Sequence, residues 1–216
     1  MSDYGFSMLY RTHEYLGIIL YPVICEQWNV SLSKKRFVRG SVKPDMSSLF
    51  VRHPHFWRRS RKFVFKKIEK LCRKTLSTDT KNKKFSENLG IVLHYTADFF
   101  TSVHNIVPNR LQEHINYEVI LHEAFCHRVT EKTIRRYPAF GKNLLSGEIS
   151  IKERLTTLHK LRREGPKNTD TDISEILAAC LMVTAFIMDE VTSKQNQETN
   201  ATNTAVETET VCAISV

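Results

Sequence analysis

One apolar segment, residues 89–105 with the sequence LGIVLHYTADFFTSVHN, limits the folds open to this chain more than any other. Its length and strongly apolar face predict a buried helix. His94 and Asp98 stand inside it at positions i and i+4, which places both side chains on one face of the helix, one turn apart. Burying an imidazole and a carboxylate without partners is costly. The fold must therefore bring partners to this face.

The rest of the chain also favours helices. Only 7 glycines and 6 prolines occur in 216 residues, and strict alternation of apolar and polar residues is rare, so a strand-and-turn architecture is disfavoured. We predict an all-α fold with an irregular stretch over 38–54 and a central last helix that is apolar nearly all round. The predicted helices cover residues 12–28, 56–76, 85–103, 111–128, 131–136, 150–163 and 172–191.

The length of the chain suits one well-cored domain. We predict a single multi-helix domain over residues 1–192 and a disordered tail over 193–216, which is rich in Thr, Asn, Gln and Glu. Five cysteines are scattered and never form a CxxC pair, which favours a reducing setting over a disulfide framework. The apolar runs 16–25 and 176–188 are too short to span a bilayer, and no signal cleavage site follows the first, so we expect a cytoplasmic protein.

A second pair of metal-ligand type follows the first. His114 and Glu118 are also spaced i,i+4, on the next predicted helix, and His104 lies between the two pairs. One such pair is commonly only a contact on a helix surface. Two pairs on adjacent helices, the first inside an apolar run, favour a metal site instead. Zinc accepts imidazole nitrogen and carboxylate oxygen, and catalytic zinc sites leave a position for water.

These residues form the pattern His-x3-Asp-x5-His, a loop, then His-x3-Glu, and this pattern resembles the zinc-dependent phospholipase C family, which shares its fold with the S1/P1 nucleases. Residues 39–45, RGSVKPD, resemble the family's Gly-Ser-x-x-Pro-Asp segment. Residues 51–53, VRH, are similar to a Thr-Arg-His segment that supplies a zinc histidine, and residues 12–16, THEYL, resemble the N-terminal histidine segment of bacterial members. The resemblance covers about residues 10–125.

The resemblance implies an all-α fold of the phospholipase C/P1 nuclease type, a bound zinc cluster and Asp45 as the general base. The implied zinc ligands are His13, His53, His94, Asp98, His104, His114 and Glu118. One ion would bind His53, His94 and Asp98, a second would bind His104, His114 and Glu118, and Asp98 could bridge to a third ion held by His13. His55 is an alternative to His53 as one of the zinc ligands, and the match to the Thr-Arg-His segment favours His53. Secreted members also use an N-terminal tryptophan, which has no counterpart near residue 1, so two or three ions are expected.

The activity implied by the resemblance is phospholipase C-like cleavage of a phospholipid head group by a metal-activated water. An S1/P1-type nuclease or nucleotidase is the first alternative, although such enzymes usually end the second pair with Asp where this chain has Glu118. A non-catalytic zinc-binding module is the second alternative.

The net charge of +9 favours an anionic partner. Basic residues crowd the predicted helix over 58–74, where they surround a few apolar side chains. This segment could dock on an anionic membrane, or it could be a solvated helix face over a packed stripe. Nucleic acid is the less favoured partner.

Overall fold

The computed structural model describes residues 10–76, 82–105, 111–136 and 149–213, and within these ranges it is all-α with no strand, which confirms the predicted fold class. The helices are α1 (Arg11–Gln27), α2 (Lys34–Val42), α3 (Leu49–Arg52), α4 (Trp57–Cys72), α5 (Lys83–Phe99), α6 (Leu111–Arg128), α7 (Glu131–Arg135), α8 (Ile151–Glu164) and α9 (Thr169–Ala213). A short 3-10 turn, Ser102–His104, follows α5.

Helices α5 and α9 lie at the centre of the fold. Every residue from 89 to 100 is buried, and α9 buries an almost continuous run from Ile176 to Val191. The portion of α9 over Thr169–Gln195 is long and apolar enough to cross a membrane, with a mean hydropathy of 1.7, but 72% of its most apolar window is buried inside the protein. Its apolar character therefore follows from its central position in the core.

Helices α2 and α5 run side by side in the same direction, in close contact. The backbone N–H of Ser33 donates to Ser86 at the start of α5, and the carbonyl of Ser41 at the other end meets His94. Glycines permit the close approach, since a Cβ added at Gly90 would stand 2.7 Å from the backbone nitrogen of Ser41 and closer still to the carbonyl oxygen of Phe37. The α2 backbone is thus held against the helix that carries His94 and Asp98.

The stretch over 38–54 is more regular than predicted. Its first residues belong to α2, and its middle contains α3. Helix α2 buries only Phe37, Gly40 and Ser41 among its nine residues. Phe37 is the only large apolar side chain among these, and one such side chain is too little to identify a helix by periodicity.

The other predicted helices are present, α6 with the predicted bounds and the rest with shifted ends. Helix α9 continues beyond the predicted end at Val191, and the backbone of the tail expected to be disordered, 193–216, is helical as far as Ala213; residues 214–216 lie outside the described ranges. No Gly or Pro interrupts this segment, so nothing in the sequence forces the helix to stop. Among the described side chains, the last buried one on α9 is Val191.

Candidate metal centre

Histidines and carboxylates from separate parts of the chain meet beside the middle of α5. Helix α5 itself supplies His94 and Asp98, which are 1% exposed. Helix α1 contributes one histidine, the segments before α3 and α4 contribute a carboxylate and a histidine, and the 3-10 turn and α6 contribute the rest. The converging residues are His13, Asp45, His55, His94, Asp98, His104, His114 and Glu118.

Asp98 lies at the centre of this cluster. Its Oδ1 atom is 3.0 Å from Nε2 of His13 and 3.4 Å from Nε2 of His104. Its Oδ2 atom is 3.2 Å from Nδ1 of His55 and 3.2 Å from Nε2 of His94. One buried carboxylate therefore faces four imidazoles, as a carboxylate that bridges neighbouring cations would.

The backbone of α2 fixes the orientation of His94. Its Nδ1 atom is 2.7 Å from the carbonyl oxygen of Ser41. A carbonyl can only accept, so Nδ1 donates to it and Nε2 faces the cluster. Nε2 lies 3.2 Å from Asp98 and 3.5 Å from Asp45. Hydrogen bonds of this kind orient metal-binding histidines in many proteins.

A second group extends from Asp98 towards α6. His104 Nε2 is 3.3 Å from Oε1 of Glu118, and His114 Nε2 is 2.9 Å from the same oxygen. The rings of His104 and His114 have their centroids 4.9 Å apart. Glu118 is therefore shared between two imidazoles, one from its own helix and one from the 3-10 turn. The i,i+4 pair predicted from the sequence is in contact.

His104 stands on the 3-10 turn that follows the end of α5. The side chain of Asn105 closes the end of α5, because its Nδ2 donates to the carbonyls of Phe99 and Thr101 at 2.9 Å each. The chain then turns and directs His104 towards both Asp98 and Glu118. This change of direction depends on contacts beyond the helix, which the periodicity of residues 89–105 does not contain.

His55, and not the predicted His53, lies in the cluster. His55 approaches Asp98 and also lies 3.4 Å from Asp45. The ring of His53 instead stacks on Phe63 with centroids 3.8 Å apart, and its carbonyl oxygen accepts from Tyr95. Only Pro54 separates these two positions, and the short non-helical segment between α3 and α4 decides which ring turns inward. Both histidines precede α4, so their spacing alone could not distinguish them.

The charges within the cluster are set by burial and by the neighbouring groups. Burial disfavours the imidazolium form of His13, but the carboxylates, Asp98 first, outweigh it and raise the pKa of His13 to about 9. Burial dominates at His55 and lowers its pKa to about 4. Burial also disfavours ionised Asp98 and Glu118, yet the surrounding imidazoles hold the pKa of Asp98 well below its usual range and lower the pKa of Glu118 to about 2. Both carboxylates are therefore ionised at neutral pH.

Several buried polar atoms in the cluster lack a hydrogen bond from the described residues. Each such atom costs about 1–3 kcal/mol if nothing else contacts it. Imidazole nitrogens and carboxylate oxygens are the ligands that zinc accepts, and cations held in the cluster would contact several of these atoms. The residues present therefore fit a zinc site. The atoms concerned are Nδ1 of His13, Oδ2 of Asp45, Nε2 of His94, Oδ2 of Asp98, Nδ1 of His104 and Oε2 of Glu118.

Among the described residues, three sets of ligand atoms lie close enough together to hold an ion, with all atoms of a set within 4.8 Å of one another, and two of the sets share His104. The set of His104, His114 and Glu118 is a grouping that the resemblance implied. The other two sets combine the residues differently from the expected groupings. The sets are His104, His114 and Glu118; His55, Asp98 and His104; and His13, Asp45 and His94.

The cavity beside the cluster is small. It has a volume of about 20 Å³, and its walls include His13, Asp98, His104 and Glu118. A cavity of roughly this size holds a water molecule or an ion. It is too small for a lipid head group, so a ligand of that size must reach the cluster from its outer edge.

A buried ion pair that the sequence analysis did not identify supports the second group. Asp172 at the start of α9 pairs with Arg162 of α8, and both are at most 2% exposed. The Asp172 carboxylate also accepts from the backbone N–H of Ser102 at 2.8 Å and from the hydroxyl of Tyr117 at 2.8 Å. These bonds hold the 3-10 turn that carries His104. They also hold Tyr117, the residue that precedes Glu118 on α6. Its only signal in the sequence is an Asp at the start of an apolar helix, which usually indicates a cap.

Comparison with known families agrees with this geometry. Residues 8–192 match the family described as zinc dependent phospholipase C. No curated protein matches the chain, and no solved structure does. The match includes every residue of the cluster.

Proposed function

The chain belongs to the zinc-dependent phospholipase C family, and on this premise we propose that it hydrolyses the phosphoric ester bond between a phospholipid and its head group. The observation that carries the proposal is the convergence of His94, Asp98, His104, His114 and Glu118, with His55 completing the contacts of Asp98. These donors come from two successive helices, the 3-10 turn between them and the segment before α4, so a surface coincidence of a single i,i+4 pair does not explain them.

Two or three zinc ions would be held by this cluster. His55, His94 and Asp98 would hold one ion, since both imidazoles contact the same carboxylate oxygen. A second would be held by the group His104, His114 and Glu118, whose ligand atoms lie together. His13 would hold a third together with Asp98, since its Nε2 atom lies 3.0 Å from Oδ1 of that carboxylate.

Bound zinc supplies Lewis acidity that neutralises phosphoryl oxygens and lowers the pKa of water towards 7. The protein supplies orientation and a proton acceptor. We assign the proton acceptor to Asp45, because its Oδ1 atom faces His55 and His94 while its Oδ2 atom has no hydrogen bond from the described residues. In this assignment Oδ2 takes the proton of the attacking water.

The substrate would reach the cluster from the side where its residues meet solvent. The side chains of His94 and Asp98 are 0% and 2% exposed, whereas Asp45 and Glu118 are 14% exposed and His114 is 16% exposed. The deeper residues orient the site, and the outer ones border the position that the phosphoryl group would occupy. Because the cavity beside the cluster is too small for a lipid, the acyl chains and head group of the substrate would remain outside it.

Contact with an anionic membrane through the basic segment 58–74 is part of the proposal. Helix α4 buries Ser60, Val64, Ile68 and Leu71 against the core. Its opposite face exposes basic side chains that could lie on anionic lipid, namely Arg58, Arg59, Lys62, Lys66 and Lys70. The same pattern also fits a solvated surface, and sedimentation with vesicles that contain or lack anionic lipid distinguishes the two.

The test of the proposed activity combines zinc content with turnover. Protein purified without added metal should contain two to three zinc ions per chain, as the donor sets imply, and should release the phosphorylated head group from phospholipid vesicles. His94→Ala should lower kcat/KM about a thousandfold or more. His127→Ala, at an exposed position on α6 outside the cluster, should leave zinc content and turnover unchanged.

Two other outcomes would replace the proposal. Cleavage of single-stranded DNA without head-group release would identify an S1/P1-type nuclease, for which the net charge of +9 is the favouring observation. Retained zinc without turnover on either substrate would identify a zinc-binding module. Less than one zinc per chain, unchanged in His94→Ala, would remove the metal site altogether.

A further inference from the structure

A second pocket, separate from the metal centre, lies between α2, α4 and the start of α5. It has a volume of about 590 Å³ and opens to solvent. Pockets that bind small molecules usually have volumes of about 300–1,000 Å³. It shares no residue with the metal cluster or with the small cavity beside it. The residues lining it are Arg36, Lys43, Ser47, Ser48, Leu49, Lys67, Lys83, Lys84, Glu87, Asn88 and Ile91.

The lining of this pocket is strongly cationic. Five of its side chains are Lys or Arg, and Glu87 is its one carboxylate. Glu87 pairs with both Arg36 and Lys43. In the part of the chain that the structure describes, no carboxylate forms an ion pair with Lys67, and none forms one with the lysines at the start of α5.

The backbone adds positive charge of its own. Because α2 and α5 run in parallel, their N-termini lie together, joined by the bonds from Ser33 to Ser86 and from Asn82 to Ser31. A helix N-terminus carries a partial positive charge and favours acidic residues or anions. Neither helix has an acidic residue in its first turn, and both begin with basic residues instead. A bound anion would compensate both helix ends and the side chains around them.

Lys67 is partly buried, and two contacts hold its ammonium group in place. Its Nζ atom donates to Oδ1 of Asn88 at 2.7 Å and stands 5.2 Å from the centre of the Phe63 ring. Burial, together with the neighbouring Lys43 and Lys70, lowers its pKa. Those contacts fix the ammonium at the wall of the pocket, where an anion would offset the repulsion from the nearby lysines.

We propose that this pocket binds an anion carrying two or more phosphate groups, through Lys67, Lys83 and Lys84 with the hydroxyls of Ser47 and Ser48. Such an anion has enough charge to satisfy several separate cations, which a carboxylate or a single phosphate does not. The phosphates belong either to a lipid head group or to a soluble compound. Glu87 and His94 are seven residues apart on α5, so the pocket lies on the order of 10 Å from the metal centre. The inference is independent of the proposed hydrolase activity.

The experiment uses the zinc-loaded protein with two probes. One is inorganic pyrophosphate, measured by calorimetry, and the other is phosphatidylcholine vesicles with or without a doubly phosphorylated phosphoinositide, measured by co-sedimentation. Lys83→Glu with Lys84→Glu reverses two exposed charges at the pocket and should weaken binding about tenfold or more. Lys160→Glu with Lys167→Glu makes the same change in net charge at exposed positions outside the pocket, and should weaken binding much less.

The results separate the pocket from general attraction and from the metal centre. Pyrophosphate binding that is lost in the pocket variant supports a soluble ligand, and loss of phosphoinositide binding alone supports a lipid ligand. Equal losses in the two double variants, or no binding of either probe, overturn the proposal. Loss of the pyrophosphate signal in His114→Ala, with the signal retained in the pocket variant, also overturns it, since the anion then binds at the metals. Lys67→Gln, which can keep the contact with Asn88, provides a second pocket variant if the double variant unfolds.

Discussion

The Nδ1 atom of His94 donates to the backbone carbonyl of Ser41 at 2.7 Å, so the orientation of this imidazole depends on how closely α2 lies against α5. The contact is possible because Gly40 and Gly90 leave no side chain between the two helices. The packing of α2 against α5 therefore determines the orientation of one imidazole of the metal centre.

Gly90→Ala should disrupt the packing of α2 against α5. The added methyl group would meet the backbone of Phe37 and Ser41 rather than flexible side chains, so α2 must move away from α5. We expect a loss of unfolding free energy of about 3 kcal/mol, together with weaker zinc binding, measured by chemical unfolding and by zinc titration. Gly165→Ala is the matched control, because its methyl group would meet no atom closer than 3.4 Å. Equal effects of the two substitutions would contradict the prediction.

His55→Ala should remove about one zinc ion per chain, because His55 contacts Asp98 inside the cluster. His53→Ala should leave the zinc content unchanged, since its ring stacks on Phe63 instead. Elemental analysis of the two variants in parallel measures both outcomes. A greater loss from His53→Ala would restore the assignment that the sequence favoured.

Removal of zinc by a chelator should lower the thermal unfolding temperature. The cluster holds the buried carboxylate of Asp98 and several polar atoms without hydrogen bonds from the described residues, which the ions would contact. Added zinc should restore stability by about 4 kcal/mol when its free concentration is a thousandfold above Kd. Magnesium should not substitute, because it prefers oxygen ligands to imidazole. An unfolding temperature indifferent to chelator would count against a structural contribution of the metals.

Tyr117→Phe should weaken the second zinc group without removing a ligand. The hydroxyl of Tyr117 donates to Asp172, which also holds the turn that carries His104. We expect stability to fall by about 1 kcal/mol and zinc affinity to fall about tenfold. Tyr21→Phe loses a comparable bond, to the carbonyl of Leu32, away from the cluster. If Tyr21→Phe lowers zinc affinity as much, the effect is one of general stability and not of positioning.

His159 should make stability depend on pH. Burial first, and then Arg163 and Arg61, lower the pKa of His159 to about 4 from 6.5. Between these pH values the unfolded chain binds the proton that the folded protein excludes, so this contribution to stability is complete above about pH 6.5 and is lost as the pH falls towards 4. His159→Gln should flatten that part of the stability curve in chemical unfolding. His127→Gln, at an exposed position, should leave the curve unchanged.

The sequence by itself determined the fold class and the donors of the central motif. His94 with Asp98, and His114 with Glu118, are set by helical periodicity, which is a local property of the chain. Because the residues around His94 and Asp98 are apolar, the sequence also predicts that this imidazole and this carboxylate are buried and must have polar or metal partners. The membership of residues 8–192 in the family agrees with that inference.

Only the tertiary structure decided which more distant residues join these pairs. The choice of His55 over His53 depends on the path of a short non-helical segment between two helices, and His104 reaches Glu118 because Asn105 and Asp172 fix the turn after α5. The basic pocket arises where two helices start side by side, although their first residues are some fifty positions apart. Contacts of this kind depend on packing between distant segments, and neither periodicity nor spacing along the chain encodes them.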